Sequence, residues 1–223
     1  METIRRVRSR RDELTAGVSD TDATGHGGAP PNLPRGKWAL RLLAVLGVVA
    51  IVAAAAWSAV TLHDRYELHF GCVERGVLYR SAQPDRHDLQ RLWKTYGIRT
   101  IVNLRSSSDV REDREAQDEV LYARGNGIRF VNISFNELGP DAASEAFLKI
   151  MEDRTNWPVL IHCAAGKERS GVLVAVYRIA IQGWTFDRAL KEMIAYGFEP
   201  AKQAEMTRFV RDYASRRARE TTH

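Results

Sequence analysis

A cysteine stands six residues before an arginine in the run His162-Cys163-Ala164-Ala165-Gly166-Lys167-Glu168-Arg169-Ser170-Gly171. An apolar stretch, Pro158-Val159-Leu160-Ile161, leads into it, and an apolar helical pattern follows. A free thiol near pKa ~8.5 is mostly protonated at neutral pH, and the thiolate is the nucleophile. Between a strand end and a helix N-terminus, Cys163 would face free N–H groups and the positive end of the helix dipole, which favour an anion. The turn from Ala164 through Ala165, Gly166, Lys167 and Glu168 to Arg169 can point successive amides inward as a nest for phosphate oxygens. Gly166 permits the backbone angles such a turn needs. Arg169 offers a planar fork to two equatorial oxygens. Ser170 can donate to the Cys163 sulfur, steadying the thiolate and later helping it leave. His162 reads as a residue that orients the loop rather than a base, and Lys167 adds positive charge at the rim. The chemistry this spacing serves is transfer of a phosphoryl group to sulfur. A structural cysteine in a tight turn would account for neither Arg169 nor the glycine and serine positions.

The run resembles the signature loop of the protein tyrosine phosphatase superfamily, H-C-x5-R-[S/T], in the H-C-x-x-G-K-x-R form of dual-specificity and phosphoinositide phosphatases. The resemblance continues in Gly76-Val77-Leu78-Tyr79-Arg80-Ser81-Ala82-Gln83-Pro84, Tyr96-Gly97-Ile98 and Thr100-Ile101-Val102-Asn103-Leu104-Arg105. Those segments are similar to the start of bacterial and atypical dual-specificity-like phosphatases, and the likeness covers roughly residues 70–200. It implies an α/β cysteine-phosphatase fold with a central, mostly parallel sheet flanked by helices, a phosphocysteine intermediate, no cofactor and no metal. Its first reading of the substrate is phosphotyrosine, with phosphoserine and phosphothreonine beside it. The alternative is a phosphoinositide or an inositol (pyro)phosphate. A catalytically silent, membrane-tethered phosphate-binding module is a reading from another class, opposed by the intact Cys163 and Arg169.

Members of this superfamily carry a general acid, an Asp on a mobile loop. No Trp-Pro-Asp stands here, and the segment after Phe135 reads Asn136-Glu137-Leu138-Gly139-Pro140-Asp141. Asp141, then Glu137, then Glu168 are the candidates. Asp141 also reads as a helix N-cap, and Glu137 as a solvated loop charge. Some relatives protect the nucleophile with a second cysteine, and by that likeness Cys72 would pair reversibly with Cys163; the plainer reading of Cys72 is a packed small residue. Arg105 reads either as a support of the pocket or as the partner of Asp109.

The elements that must position this loop alternate between strand and helix. Val77–Arg80, Arg99–Leu104, Arg129–Phe135 and Pro158–His162 read as strands. Asp85–Tyr96, Arg111–Arg124, Asp141–Arg154, Val172–Gln182, 186–196 and 200–218 read as helices, with the apolar Val172–Gln182 crossing the core. Short apolar strands between helices suit a buried parallel sheet.

Before this domain, placed at 70–220, the chain of 223 residues has a different character. Residues 1–37 read as a disordered basic tail. Residues 38–62 read as a transmembrane helix: Leu42 to Leu62 is 21 residues without a charge, enough for ~30 Å of hydrocarbon, with Trp38 and Trp57 near its ends. A cleaved signal peptide and a buried core helix are the competing readings of that run. Residues 1–41 hold eight Lys/Arg against five Asp/Glu. The positive-inside bias then makes the protein single-pass, with its catalytic domain outside the cytoplasm. The net charge of +5 comes without the interleaving of basic and aromatic residues expected for nucleic acid. Two cysteines, Cys72 and Cys163, make neither a disulfide framework nor a metal-ligand cluster. The basic last helix (Arg211, Arg216, Arg217, Arg219) reads as a solvated face or a contact for anionic lipid. The partners these features imply are a phosphorylated protein or small molecule and a membrane.

Overall fold

The computed structural model describes residues 35–220. The basic stretch at Arg5–Arg11 and most of the expected tail lie outside them. The first element, α1 (Arg35–Tyr66), contains a 28-residue stretch, Lys37–Asp64, long and apolar enough to cross a membrane. None of that stretch is buried against protein, and Trp57 is 75% exposed. The core-helix reading of this segment is therefore set aside.

Five strands form one sheet in the order β1-β2-β5-β3-β4. Their ranges are β1 (Gly71–Glu74), β2 (Leu78–Ser81), β3 (Thr100–Asn103), β4 (Arg129–Asn132) and β5 (Val159–His162). The first strand runs antiparallel to β2; all other pairings are parallel. Beside them stand α2 (Arg86–Tyr96), α3 (Ser107–Glu112), α4 (Arg114–Gly125), α5 (Phe135–Glu152), a short 3-10 turn (Arg154–Asn156), α6 (Arg169–Ala180), α7 (Phe186–Ala195) and α8 (Ala204–Glu220). The sheet alternation splits the core in two. Leu78, Val102, Val159, Ile161 and Cys163 face the cluster built on α5, α6, α7 and α8. Tyr79, Ile101 and Leu160 face a second cluster with Leu89 and Leu92 of α2 and Ala123 of α4. Residues Ser170 to Ile179 of α6 are buried without interruption, so this helix does run through the core.

Three sequence readings need correction. The single charged helix expected over Arg111–Arg124 is two helices, because Asp113 has extended angles (φ −83°, ψ 126°) and its side chain caps Ala116 N–H. An Asp that can accept from the N–H three residues on competes with helix continuation. The open segment expected after Phe135 is a helical turn. It breaks at Gly139 (φ 78°, ψ 166°), a conformation open mainly to glycine, and Pro140 restarts the helix where its missing N–H costs nothing. Strand β1 was not expected: four residues reading Gly-Cys-Val-Glu carry too little alternation to signal a strand, and it is held by pairing with β2.

Candidate active site

Strand β5 delivers His162 and Cys163 to the end of the sheet, and α6 begins at Arg169. The segment between them is tied to the scaffold by its carbonyls. Gln83 N–H donates to Ala164 O at 3.0 Å, and the Arg80 guanidinium donates to Gly166 O at 2.8 Å. With those two carbonyls held by the scaffold, Gly166 N–H points at Cys163 Sγ at 3.2 Å. Gly166 has φ 68°, and a Cβ there would stand 2.6 Å from the backbone nitrogen of Ala82. The turn closes only around a residue with no side chain.

Cys163 is 2% exposed. Its sulfur lies 3.6 Å from Ser170 Oγ, in the first turn of α6. Arg169 is half-buried and donates from Nη1 to the carbonyl of Leu104, at 3.3 Å, just past the end of β3. Lys167 is half-buried at the rim, while Ala164, Ala165 and Glu168 are exposed. A buried thiol that accepts from the Gly166 amide, a helix N-terminus and an anchored guanidinium are together an arrangement that can hold a tetrahedral anion beside a sulfur.

Beneath the loop lies a buried polar layer that the sequence reading missed apart from His162 and Arg105. The His162 side chain is fully buried, with Nε2 2.9 Å from Oε1 of Glu119, itself fully buried. That approach lacks the angle of a hydrogen bond, so the imidazole and the carboxylate are in close contact without forming an aligned donor–acceptor pair. The other Glu119 oxygen accepts from Asn103 Nδ2 (2.8 Å) and Gln83 Nε2 (3.2 Å). Asn103 Oδ1 accepts from Arg105 N–H, and Arg105 reaches Gln83 Oε1 and Asp113. Arg105 therefore does both things expected of it: it supports the wall through Gln83 and lies 3.6 Å from Asp109. Arg80, 1% exposed, packs its guanidinium on the Tyr196 ring at 4.1 Å, and burial pulls it below the ordinary arginine pKa. Arg80, Glu119 and Tyr196 come from three separated stretches. The only signal for Arg80 and Glu119 was a charged residue inside a strand or on the inner face of a helix, and Tyr196, just past the end of α7, had none.

The candidate acids are spread out. Asp141, at the restart of α5, pairs with Arg216 of α8 at 2.9 Å, and among the described residues this is its one side-chain partner. It does not cap the helix. Glu137 accepts from the N–H and hydroxyl of Ser107 at the start of α3, bonds that hold its carboxyl below the usual range. Glu168 accepts from Gln203 Nε2 at 2.8 Å. Cys72 also needs correction. Cys72 stands in β1 opposite Tyr79 of β2, on the sheet face opposite to that of Cys163; both cysteines are free, and Cys72 is exposed rather than the packed small residue expected. A disulfide between them would have to pass through the sheet. On the last helix Arg216 meets Asp141, Arg217 meets Glu220 and Arg211 lies over Phe186.

A parallel sheet delivering a buried cysteine into an anion cradle, closed by an arginine at the head of a core helix, defines a cysteine-phosphatase architecture. The chain belongs to the tyrosine phosphatase family, whose model matches residues 66–223. The dual specificity protein phosphatase TpbA of Pseudomonas aeruginosa is 31% identical over 123 residues, 55% of this chain and 52% of that protein. The inositol diphosphatase DSP3 of Arabidopsis thaliana is 34% identical over 127 residues, 56% of this chain and 60% of that protein. The chain thus spans about half to three fifths of the length of these curated relatives. Among solved structures, the core catalytic domain of the PP-IP phosphatase SIW14 from Saccharomyces cerevisiae superimposes with a TM-score of 0.53 at 24% identity, covering 65% of this chain and 85% of that one. Crystalline TpbA of P. aeruginosa gives 0.52 at 22% identity, covering 68% and 91%. Both are likenesses of fold.

Proposed function

We propose that the chain is a cysteine-dependent phosphatase, and that its substrate belongs to the phosphoinositide or inositol (pyro)phosphate class ahead of phosphotyrosine. The observation that carries the chemistry is Cys163 Sγ lying under the Gly166 amide, inside a loop two of whose carbonyls are held by the scaffold. The thiolate attacks phosphorus in line; the S–P bond forms as the bond to the leaving oxygen breaks. Arg169 and the amides of Ala164, Ala165, Gly166, Lys167 and Glu168 hold the equatorial oxygens. His162 orients the loop through its buried contact with Glu119. Water then attacks the phosphocysteine, inorganic phosphate leaves, and Ser170 donates to the sulfur as the thiolate returns.

The acids bear on the substrate. A phosphomonoester leaves as an alkoxide or phenolate and needs a proton. An anhydride leaves as a phosphate, which is stable as an anion. Asp141 and Glu137 are engaged with Arg216 and Ser107, so a leaving group that asks for little proton transfer suits this site better, which favours the inositol pyrophosphates within the proposed class over its monoesters. The likeness to inositol diphosphatases supports the same reading. The test is phosphate release from a diphosphoinositol phosphate and from a phosphotyrosine peptide, with Cys163→Ser as the blank. We expect the diphosphate to turn over faster by about tenfold or more. On it Asp141→Asn should change the rate by less than about threefold, against the roughly 10²–10⁴ of full acid catalysis. Faster turnover of the peptide, with a large Asp141→Asn loss, would restore the phosphotyrosine reading with Asp141 as its acid.

We further propose three parts: a basic tail at 1–37, a single-pass membrane helix at 38–62 and a phosphatase domain at 70–220, with the Lys/Arg excess keeping the N-terminus in the cytoplasm. Protease added to intact cells or spheroplasts is then expected to reach the domain. Protection until lysis would reverse the orientation.

A further inference from the structure

Arg80 carries a positive charge into the interior, and among the described residues its only hydrogen bond is to the carbonyl of Gly166. It stands in β2 opposite Ile161 of β5 and opposite Gly71 of β1. Cys163 follows Ile161 by two residues, so Arg80 and Cys163 leave the sheet on one face, the face covered by α6 and α7. A guanidinium keeps its proton even where burial opposes the charge.

The groups around it leave one anion to meet that charge. Nη2 donates to Gly166 O at 2.8 Å, and the Tyr196 ring lies 4.1 Å from Cζ, while Nε and Nη1 have no hydrogen-bond partner among the described residues. Burial acts on the guanidinium most; the titratable groups that act on it besides are Tyr196, Glu192, Cys163 and Arg178. Tyr196 stays neutral, because burial pushes its hydroxyl above the ordinary phenol range. Glu192 of α7 is taken by Arg178 of α6, whose Nε and Nη2 both donate to it. The sulfur of Cys163 remains. Gly166 joins the two side chains: its carbonyl accepts from Arg80 and its N–H donates to Cys163 Sγ at 3.2 Å.

The packing fixes the guanidinium in this place. Gly71 has no side chain, and a Cβ there would overlap Tyr196 Oη, the ring that carries Arg80. Gly171, in the first turn of α6, would set its Cβ 3.6 Å from Arg80 Nη2. The head of a helix is its positive end and offers a buried cation no relief. A buried charge is costly until an opposite charge stands near it, and ionisation of Cys163 supplies one. The other groups about the sulfur stand differently. Arg169 and Lys167 are half-buried on the pocket side, Glu168 is exposed and held by Gln203, and His162 is in contact with Glu119 under the loop. Arg80 acts from the dry side, where a charge is least screened.

We infer that Arg80 is a positioning residue for the nucleophile: from beneath the loop it supplies the buried positive charge that holds Cys163 as the thiolate. The inference rests on Cys163 as the nucleophile, and its test reads the thiol rather than turnover, so a phosphatase reading that failed on every substrate would leave it standing. The experiment alkylates the detergent-solubilised full chain with iodoacetamide, an uncharged reagent that the cradle does not concentrate, across a range of pH. Cys72→Ala is the background, which leaves Cys163 as the one thiol. Arg80→Gln keeps a donor for Gly166 O and removes the charge; Arg80→Lys keeps both. The pH of half-maximal alkylation should rise by about one unit in Arg80→Gln, a tenfold loss of rate below that midpoint, and Arg80→Lys should recover at least about half of the rise. The plateau rate at high pH, which reports access to the sulfur, should agree within about threefold among the three proteins. A midpoint that does not move, or that moves equally in both variants, overturns the inference and leaves Arg80 as a tether of the loop. A lowered plateau with no change of midpoint does the same. A second measurement covers an Arg80→Gln that does not fold. A thiol favoured as thiolate in the folded state loses its proton at lower pH there than in the unfolded chain, so the fold gains stability as pH rises. The melting temperature of wild type should therefore climb relative to Cys163→Ser between about pH 5 and about pH 8. A margin that stays flat over that range overturns the inference.

Discussion

Cys163→Ser is expected to remove turnover altogether, by at least about 10³-fold, while leaving the domain folded and able to bind phosphate. A serine hydroxyl has a pKa far above that of a thiol, and nothing here offers it a base. His162, the nearest imidazole in sequence, is buried against Glu119 beneath the loop. The amide of Gly166 and the dipole of α6 stabilise an anion already formed; they do not take a proton from an alcohol. The anion cradle meanwhile depends on backbone and on Arg169, neither of which the substitution touches. Two measurements check this: phosphate release, expected at background, and orthovanadate or phosphate affinity, expected within a fewfold of wild type. Near-normal turnover by Cys163→Ser would mean that another group attacks phosphorus, and the covalent mechanism would fall.

That much could be read from ten consecutive residues, for a physical reason. The nucleophile, the amides and the arginine of an anion cradle are held by one turn, so their spacing is local and sequence carries it. The same holds for the helices with side-chain caps. Asp85 caps α2 through Asp88 N–H and Gly97 closes it in the left-handed conformation; Thr185 starts α7. Where a break depends on one side chain choosing a backbone amide, as at Asp113, the periodicity of the flanking residues runs straight through and hides it. A four-residue strand such as β1 is fixed by its neighbour and leaves little trace of its own.

The acids show the same divide. Asp141 and Glu137 were placed by their order after a strand, which sets a neighbourhood but not a direction. Their actual directions depend on Arg216, 75 residues on, and on Ser107, 30 residues back. The layer under the loop was hidden for the same reason. Glu119 looks like any acidic residue on a charged helix, and only the packing of α4 against the sheet turns it inward to His162, Asn103 and Gln83.

Glu119→Ala should therefore be among the most destabilising single changes in the domain, at about 3–5 kcal/mol. The carboxylate is fully buried, and removing it takes the acceptor from the side-chain amides of Asn103 and Gln83 and opens the space packed against His162. Each orphaned donor costs about 1–3 kcal/mol, and two are left without their acceptor. For a domain of this size the loss corresponds to a fall in melting temperature of roughly 10 °C. Glu119→Gln keeps an acceptor for the two amides and changes only the contact with His162, so it should recover at least about half of the loss. Thermal and denaturant unfolding of the detergent-solubilised full chain, followed by near-ultraviolet circular dichroism, separates the two variants. Asn103 Oδ1 also fixes the Arg105 amide, and Gln83 N–H holds Ala164 O. Damage to this layer should therefore reach the loop above it, and Glu119→Gln, though folded, should lose turnover by about tenfold. If Glu119→Ala unfolds within about 1 kcal/mol of wild type, the layer is not what supports the loop, and the rigidity of the cradle must come from Arg80 and the first turn of α6 alone.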